Sequence, residues 1–112
     1  MERVRVIILS SMLLGSWLLG ISNTHAGEYD QGKALYDSKC LICHGAKGKG
    51  DGPAAAALST QPRDFTRTDF WQGDVEKEIA ETIRKGLSPM PAFDLSDDEI
   101  KAITGYMSHT FK

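Results

Sequence analysis

The sequence predicts an all-α fold. Three stretches of the 112-residue chain carry helical signals, 29–40, 74–85 and 96–111. The segments between them hold too much glycine and proline for long regular elements. No βαβ pattern is evident.

Met1 to Ala26 reads as a secretory signal peptide. Arg3 and Arg5 supply a positive start, Val6 to Ile21 is apolar with small polar interruptions, and Thr24-His25-Ala26 is a small-x-small cleavage pattern. The apolar run is short for a membrane span and carries Ser10, Ser11 and Ser16. An uncleaved N-terminal anchor is the alternative. Cleavage near Ala26 leaves residues 27–112 as one domain whose core is marginal by itself. It also removes two arginines and one glutamate, leaving 11 basic against 14 acidic residues and a formal charge of −3. Nothing in that balance favours nucleic-acid binding.

In the first stretch Gly32, Tyr36 and Cys40 recur at i, i+4 and i+8, so they share one helix face. Glycine inside a helix costs up to about 1 kcal/mol relative to alanine. Close approach by a second helix is one reason to keep Gly32; a helix that starts after it is the other.

The helix leads into Cys40-Leu41-Ile42-Cys43-His44, a C-x-x-C-H run. That spacing is the attachment signature of a c-type haem. Two thiols three positions apart can each form a thioether to one vinyl group along a haem edge. The next residue, His44, then lies under the iron and offers a ring nitrogen as axial ligand. Rival readings have less support. A thioredoxin-like redox pair expects a βαβ context, and a zinc site needs ligands that a chain with two cysteines does not supply. A Cys40–Cys43 disulfide would close too small a loop to stabilise much.

Residues 45–74 open with Gly-Ala-Lys-Gly-Lys-Gly-Asp-Gly-Pro, which lacks the ending and the preceding strand of a phosphate-binding loop. Pro53 can open a short helical turn over Ala54 to Leu58. Phe65, Phe70 and Trp71 read as core aromatics, or as the wall closing one haem edge. Arg63 or the Trp71 indole could hydrogen-bond a haem propionate, and a solvated Arg63 fits equally well.

The second stretch starts at Asp74, a suitable N-cap. Val75, Ile79 and Ile83 form its apolar stripe, Glu81 and Lys85 are spaced to pair, and Gly86 follows as a stop. Next comes Leu87-Ser88-Pro89-Met90-Pro91-Ala92-Phe93. Two prolines restrict the backbone around Met90, an odd setting for methionine as flexible filler. The setting suits a thioether held at a fixed point, so Met90 is the candidate sixth ligand of the iron.

The third stretch has the sharpest start. Ser96 and Glu99 form a capping box, and Leu95 with Ile100 a hydrophobic staple. Ile100, Ile103, Tyr106 and Met107 make the inward stripe. Gly105 is expected at a close crossing with the first helix near Gly32, and His109 on the surface near a fraying end.

Together the N-terminal helix running into Cys40-x-x-Cys43-His44, the Gly-rich loop with Pro53, the middle helix, Met90-Pro91-Ala92-Phe93 and the C-terminal helix with Tyr106 resemble class I cytochromes c of bacteria. The resemblance covers almost the whole of 27–112. It implies a small cytochrome c-like helical bundle wrapped around one covalently attached haem c, the first and last helices crossing steeply. It also implies that a backbone carbonyl in the Pro53 region receives the second ring N–H of His44.

The function so implied is one-electron transfer between redox-partner proteins in the periplasm, with His44 and Met90 as axial ligands and no substrate position at the iron. The protein is then an electron carrier and not an enzyme, a monomer or the subunit of an oxidoreductase, with no membrane span after cleavage. A haem-based small-ligand sensor or a peroxidase-like enzyme would instead need a labile Met90. A cytochrome subunit of a larger oxidoreductase would share the carrier's chemistry.

Overall fold

A computed structural model describes residues 24–112 of the chain. The expected leader, Met1–Ala26, therefore lies outside the described residues apart from its last three. Four α-helices follow in order: α1 (Thr24–Lys39), α2 (Leu41–His44), α3 (Val75–Lys85) and α4 (Asp97–Phe111). Two 3₁₀ turns, Ala55–Ala57 and Thr68–Trp71, punctuate the long connection between α2 and α3. Among the described residues there is no β-strand, only an isolated bridge between Leu87 and Met90.

The frame is the crossing of α1 and α4. Gly32 sits at that crossing. A Cβ there would run into the Ala102 carbonyl and lie 2.8 Å from the Tyr106 Cβ, so the helix includes Gly32 because α4 needs the space. The expected partner glycine is a different matter. Gly105 is exposed, and a Cβ built on it meets nothing within 4 Å; Ala102 and Tyr106 form the α4 side of the contact.

One core fills the angle between the helices. Tyr36 of α1, Ile83 of α3, and Ile100, Ile103, Tyr106, Met107 and Phe111 of α4 meet there, with Phe65 from the long connection. Full burial of each aliphatic member contributes roughly 1.5–3 kcal/mol. Tyr36, Tyr106 and Phe111 form a tilted aromatic group with ring centroids 5.3–5.8 Å apart.

The α4 start is built as expected. The Glu99 amide donates to the Ser96 hydroxyl at 3.2 Å, and the Ser96 amide donates to the Glu99 carboxylate at 2.8 Å. The α3 start is not. Asp74 occupies the N-cap position at φ −92°, ψ 53°, and its side chain caps nothing. Glu81 and Lys85 do not pair either. The ion pair near that end joins Arg84 to Asp97, both exposed, a type worth little in water. His109 is exposed as expected, α4 ends at Phe111 as expected, and the His109 ring meets Tyr29 edge-on at 5.2 Å.

Candidate cofactor-attachment site

α1 ends one residue before the first cysteine. The Cys40 amide still reaches back to the Tyr36 carbonyl at 2.8 Å, and a single helical turn then carries Leu41 to His44, with the His44 amide on the Cys40 carbonyl at 2.9 Å. Cys40, Cys43 and His44 thus leave one compact turn. Both thiols are free and half-buried. Burial pushes the Cys40 thiol up to about 11; Lys39 opposes that shift and Cys43 adds to it.

A helix end leaves its last carbonyls without intrahelical partners. Here the following loop supplies the donors. The Ala54, Gly52 and Gly50 amides donate to the Ile42, Cys43 and His44 carbonyls at 2.8, 3.0 and 2.8 Å. Gly52 is required for this return, because a Cβ there would strike the Leu41 and Ile42 carbonyls. From the α1 side, the Tyr36 hydroxyl donates to the Gly45 carbonyl at 2.7 Å.

Pro53 lies in this returning strand of loop, exposed, between Gly52 and Ala54. Its neighbours bond the main chain of the cysteine turn, and the His44 ring makes no hydrogen bond to the Pro53 carbonyl. The His44 Nδ1 is buried with no hydrogen-bond partner. Burial lowers the His44 pKa, and the Arg63 main chain beside the ring works in the opposite direction. The loop residue whose main chain acts on the ring is therefore Arg63, ten positions beyond the expected proline.

The aromatics of this loop close over the histidine. Phe65 is buried and stacks on His44 with centroids 4.5 Å apart and planes 18° from parallel. The Phe65 amide donates to the Gly48 carbonyl at 2.7 Å, and the Trp71 indole N–H donates to the Phe65 carbonyl at 2.7 Å. Trp71 thus spends its only donor inside the protein. Arg63 is exposed, its guanidinium 6.0 Å from the centroid of the half-buried Phe70 ring, and it forms no ion pair among the described residues.

Met90 comes from the connection between α3 and α4. Gly86 ends α3, with its amide on the Thr82 carbonyl at 2.8 Å, and the chain turns back on itself at once. Leu87 and Met90 exchange both backbone hydrogen bonds, at 3.0 and 2.7 Å, and the Phe93 amide ties the segment to the Ile83 carbonyl at 2.8 Å. Met90 is half-buried and packs against the core, as do Cys40 and Leu41. Its backbone is therefore fixed on both sides.

These residues fit a covalently held haem. Two free thiols and a histidine with an unpartnered buried nitrogen leave one turn, and a methionine is held in a rigid turn on the same core. Among the described residues no group of three His, Cys, Asp or Glu side chains could hold a bare metal ion. Sequence reasoning missed the Phe65 stack, the Tyr36–Gly45 bond and the buried Phe111. The stack joins residues 21 apart and the bond residues nine apart, neither at a helical spacing, and only Phe111, the last apolar residue on the α4 pattern, left a local signal.

Comparison with known proteins places this geometry in context. Residues 27–107 match the family described as cytochrome C oxidase, cbb3-type, subunit III. Cytochrome c-554(547) of Halothiobacillus neapolitanus is 32% identical over 88 residues, covering 74% of this chain and 97% of that protein. Among solved structures, a chain of the reducing HAO-like protein complex of Kuenenia stuttgartiensis superposes with a TM-score of 0.67 at 34% identity. The match covers 77% of this chain but only 44% of that longer one.

Proposed function

The chain belongs to the c-type cytochrome family, and from that premise we propose that it is a one-electron carrier with a single haem held by Cys40 and Cys43, working outside the cytoplasmic membrane. The observation that carries the reading is the C-x-x-C-H turn itself: two free, half-buried thiols and an incompletely bonded His44 on one helical turn. Bound there, the haem supplies reversible exchange of one electron at its iron.

The protein's own residues set the terms of that exchange. Cys40 and Cys43 fix the group covalently, so it cannot dissociate between partners. His44 would supply a ring nitrogen and Met90 a thioether to the haem iron, and a methionine ligand would raise its reduction potential. With both side chains held by the fold, such a site would offer no position for substrate and would change little between oxidation states. Arg63 is the donor available to a propionate, since the Trp71 N–H is already used. Pro53 contributes through the returning loop, whose amides hold the cysteine turn. The Arg- and Ser-punctuated leader supports export to the periplasm.

A second reading, as the cytochrome subunit of a larger oxidoreductase, is favoured by the structural relative, a chain of a multi-protein complex. The match to nearly the whole length of a cytochrome favours the free carrier. No helix among the described residues is long and apolar enough to cross a membrane.

The test is the visible spectrum of the reduced haem-loaded protein before and after carbon monoxide. An unchanged low-spin spectrum is expected. Rapid conversion to a carbonyl-bound form would move ligand sensing or peroxidase-like catalysis ahead of electron transfer. Met90→Ala should bind carbon monoxide readily, and co-purification with other subunits would separate the subunit reading from the free carrier.

A further inference from the structure

We infer that Phe65 is the positioning residue for His44, setting the rotation of the imidazole about its axis and so the electronic properties of the iron it ligates. The inference rests on the ligation reading above and goes beyond it.

An imidazole held by a hydrogen bond from its second nitrogen has its rotation fixed by that bond. The buried Nδ1 of His44 has no such partner. Besides the Arg63 main chain, which acts on the ring without closing such a bond, what constrains it is a face. Phe65 lies nearly parallel to it, 18° between planes and 4.5 Å between centroids, the short end of the range for stacked aromatic pairs. Turning the imidazole away from that plane would drive its edge into the Phe65 face.

A face constrains only if it is itself fixed, and Phe65 is fixed on every side. Its amide is bonded to Gly48, four residues beyond His44, and its carbonyl receives the Trp71 indole N–H. Its ring is 7% exposed and backed by Phe70 at 5.0 Å and Phe111 at 6.2 Å. The sequence Gly48, Phe65, Trp71 is therefore a brace whose working surface is one aromatic face on the histidine. Trp71 acts through Phe65.

The measurement is the ferric electron paramagnetic resonance spectrum of the haem-loaded protein, whose g-values report ligand orientation, together with the reduction potential. Phe65→Leu keeps the site apolar but removes the flat face. The expected result is a shifted and broadened largest g-value and a displaced potential. Phe65→Tyr, which keeps the ring, should retain the wild-type spectrum. Val75→Ala is the control, since Val75 is buried outside the main core and lacks any stack on His44; it should lower stability and leave the g-values alone.

Where Phe65→Leu does not fold, Trp71→Phe takes its place. It keeps the core aromatic and removes only the bond to the Phe65 carbonyl, and it should shift the g-values in the same direction. A folded Phe65→Leu, or Trp71→Phe in its stead, with the wild-type g-values overturns the inference alone. A wild-type protein without a low-spin ferric signal overturns the ligation reading and the inference with it.

Discussion

The Tyr36 hydroxyl donates a 2.7 Å hydrogen bond to the Gly45 carbonyl, tying the middle of the first helix to the residue that follows the C-x-x-C-H turn. Tyr36 is fully buried. Burial, reinforced by Cys40 and Tyr106, raises its pKa well above the ordinary 10.0. The unfolded chain thus loses this proton at lower pH than the folded one, and stability falls as pH rises from about 10. Tyr36→Phe should cost about 1 kcal/mol at neutral pH. It should also flatten the alkaline decline. Urea unfolding at pH 7 and at several values above 10 measures both effects.

The two helical glycines should behave oppositely. Gly32→Ala pushes a methyl into the Ala102 backbone and should destabilise by about 1–3 kcal/mol, the usual range for overpacking. Gly105→Ala meets open space and should stabilise by up to about 1 kcal/mol through helix propensity. Thermal unfolding of the pair decides it; equal losses would mean that the crossing is misplaced.

Gly52→Ala should push the returning loop off the cysteine turn, since its Cβ would strike the Leu41 and Ile42 carbonyls. A loss of about 1–3 kcal/mol is expected, along with a lower haem-to-protein ratio after expression. The ratio is read from Soret absorbance against peptide content.

Ser96→Ala removes one half of the α4 capping box and should cost about 1 kcal/mol. Asp74→Ala should cost much less, because the Asp74 side chain bonds no backbone amide of α3. Denaturant midpoints of the two variants give the comparison directly.

These contrasts mark what the sequence could convey. Local patterns read well: the Ser96–Glu99 box, the Val75–Ile83 stripe and the inward residues of α4 are written in spacings of three and four. Gly32 at a helix crossing was also legible, because an internal glycine has a cost that needs a reason. Its partner was not. Gly105 carries the same local signal, yet only the rotation of α4 decides which residue faces α1. Asp74 shows the same limit, since a capping residue type does not fix the side-chain rotamer that would make the bond. The Phe65 stack on His44 spans 21 residues of irregular loop. Nothing periodic connects the two, and only the loop's hydrogen bonds to the cysteine turn and to Gly48 determine that they meet.

The α1–α4 crossing also imposes an order on events. Gly32 and Ala102 are about 70 residues apart in the chain, and most of the core comes from α4. On the ribosome, Cys40, Cys43 and His44 emerge long before the segment that will bury their neighbours. Distant pairings of this kind form late, because the intervening chain must close first. Through most of synthesis both thiols remain open to solvent and to whatever attaches the haem. In a chain already folded but not yet carrying haem, the half-buried Cys40 thiol, with its pKa pushed up to about 11, would be a far poorer reactant. The last helix made therefore sets the end of the period in which the cysteine turn can be modified.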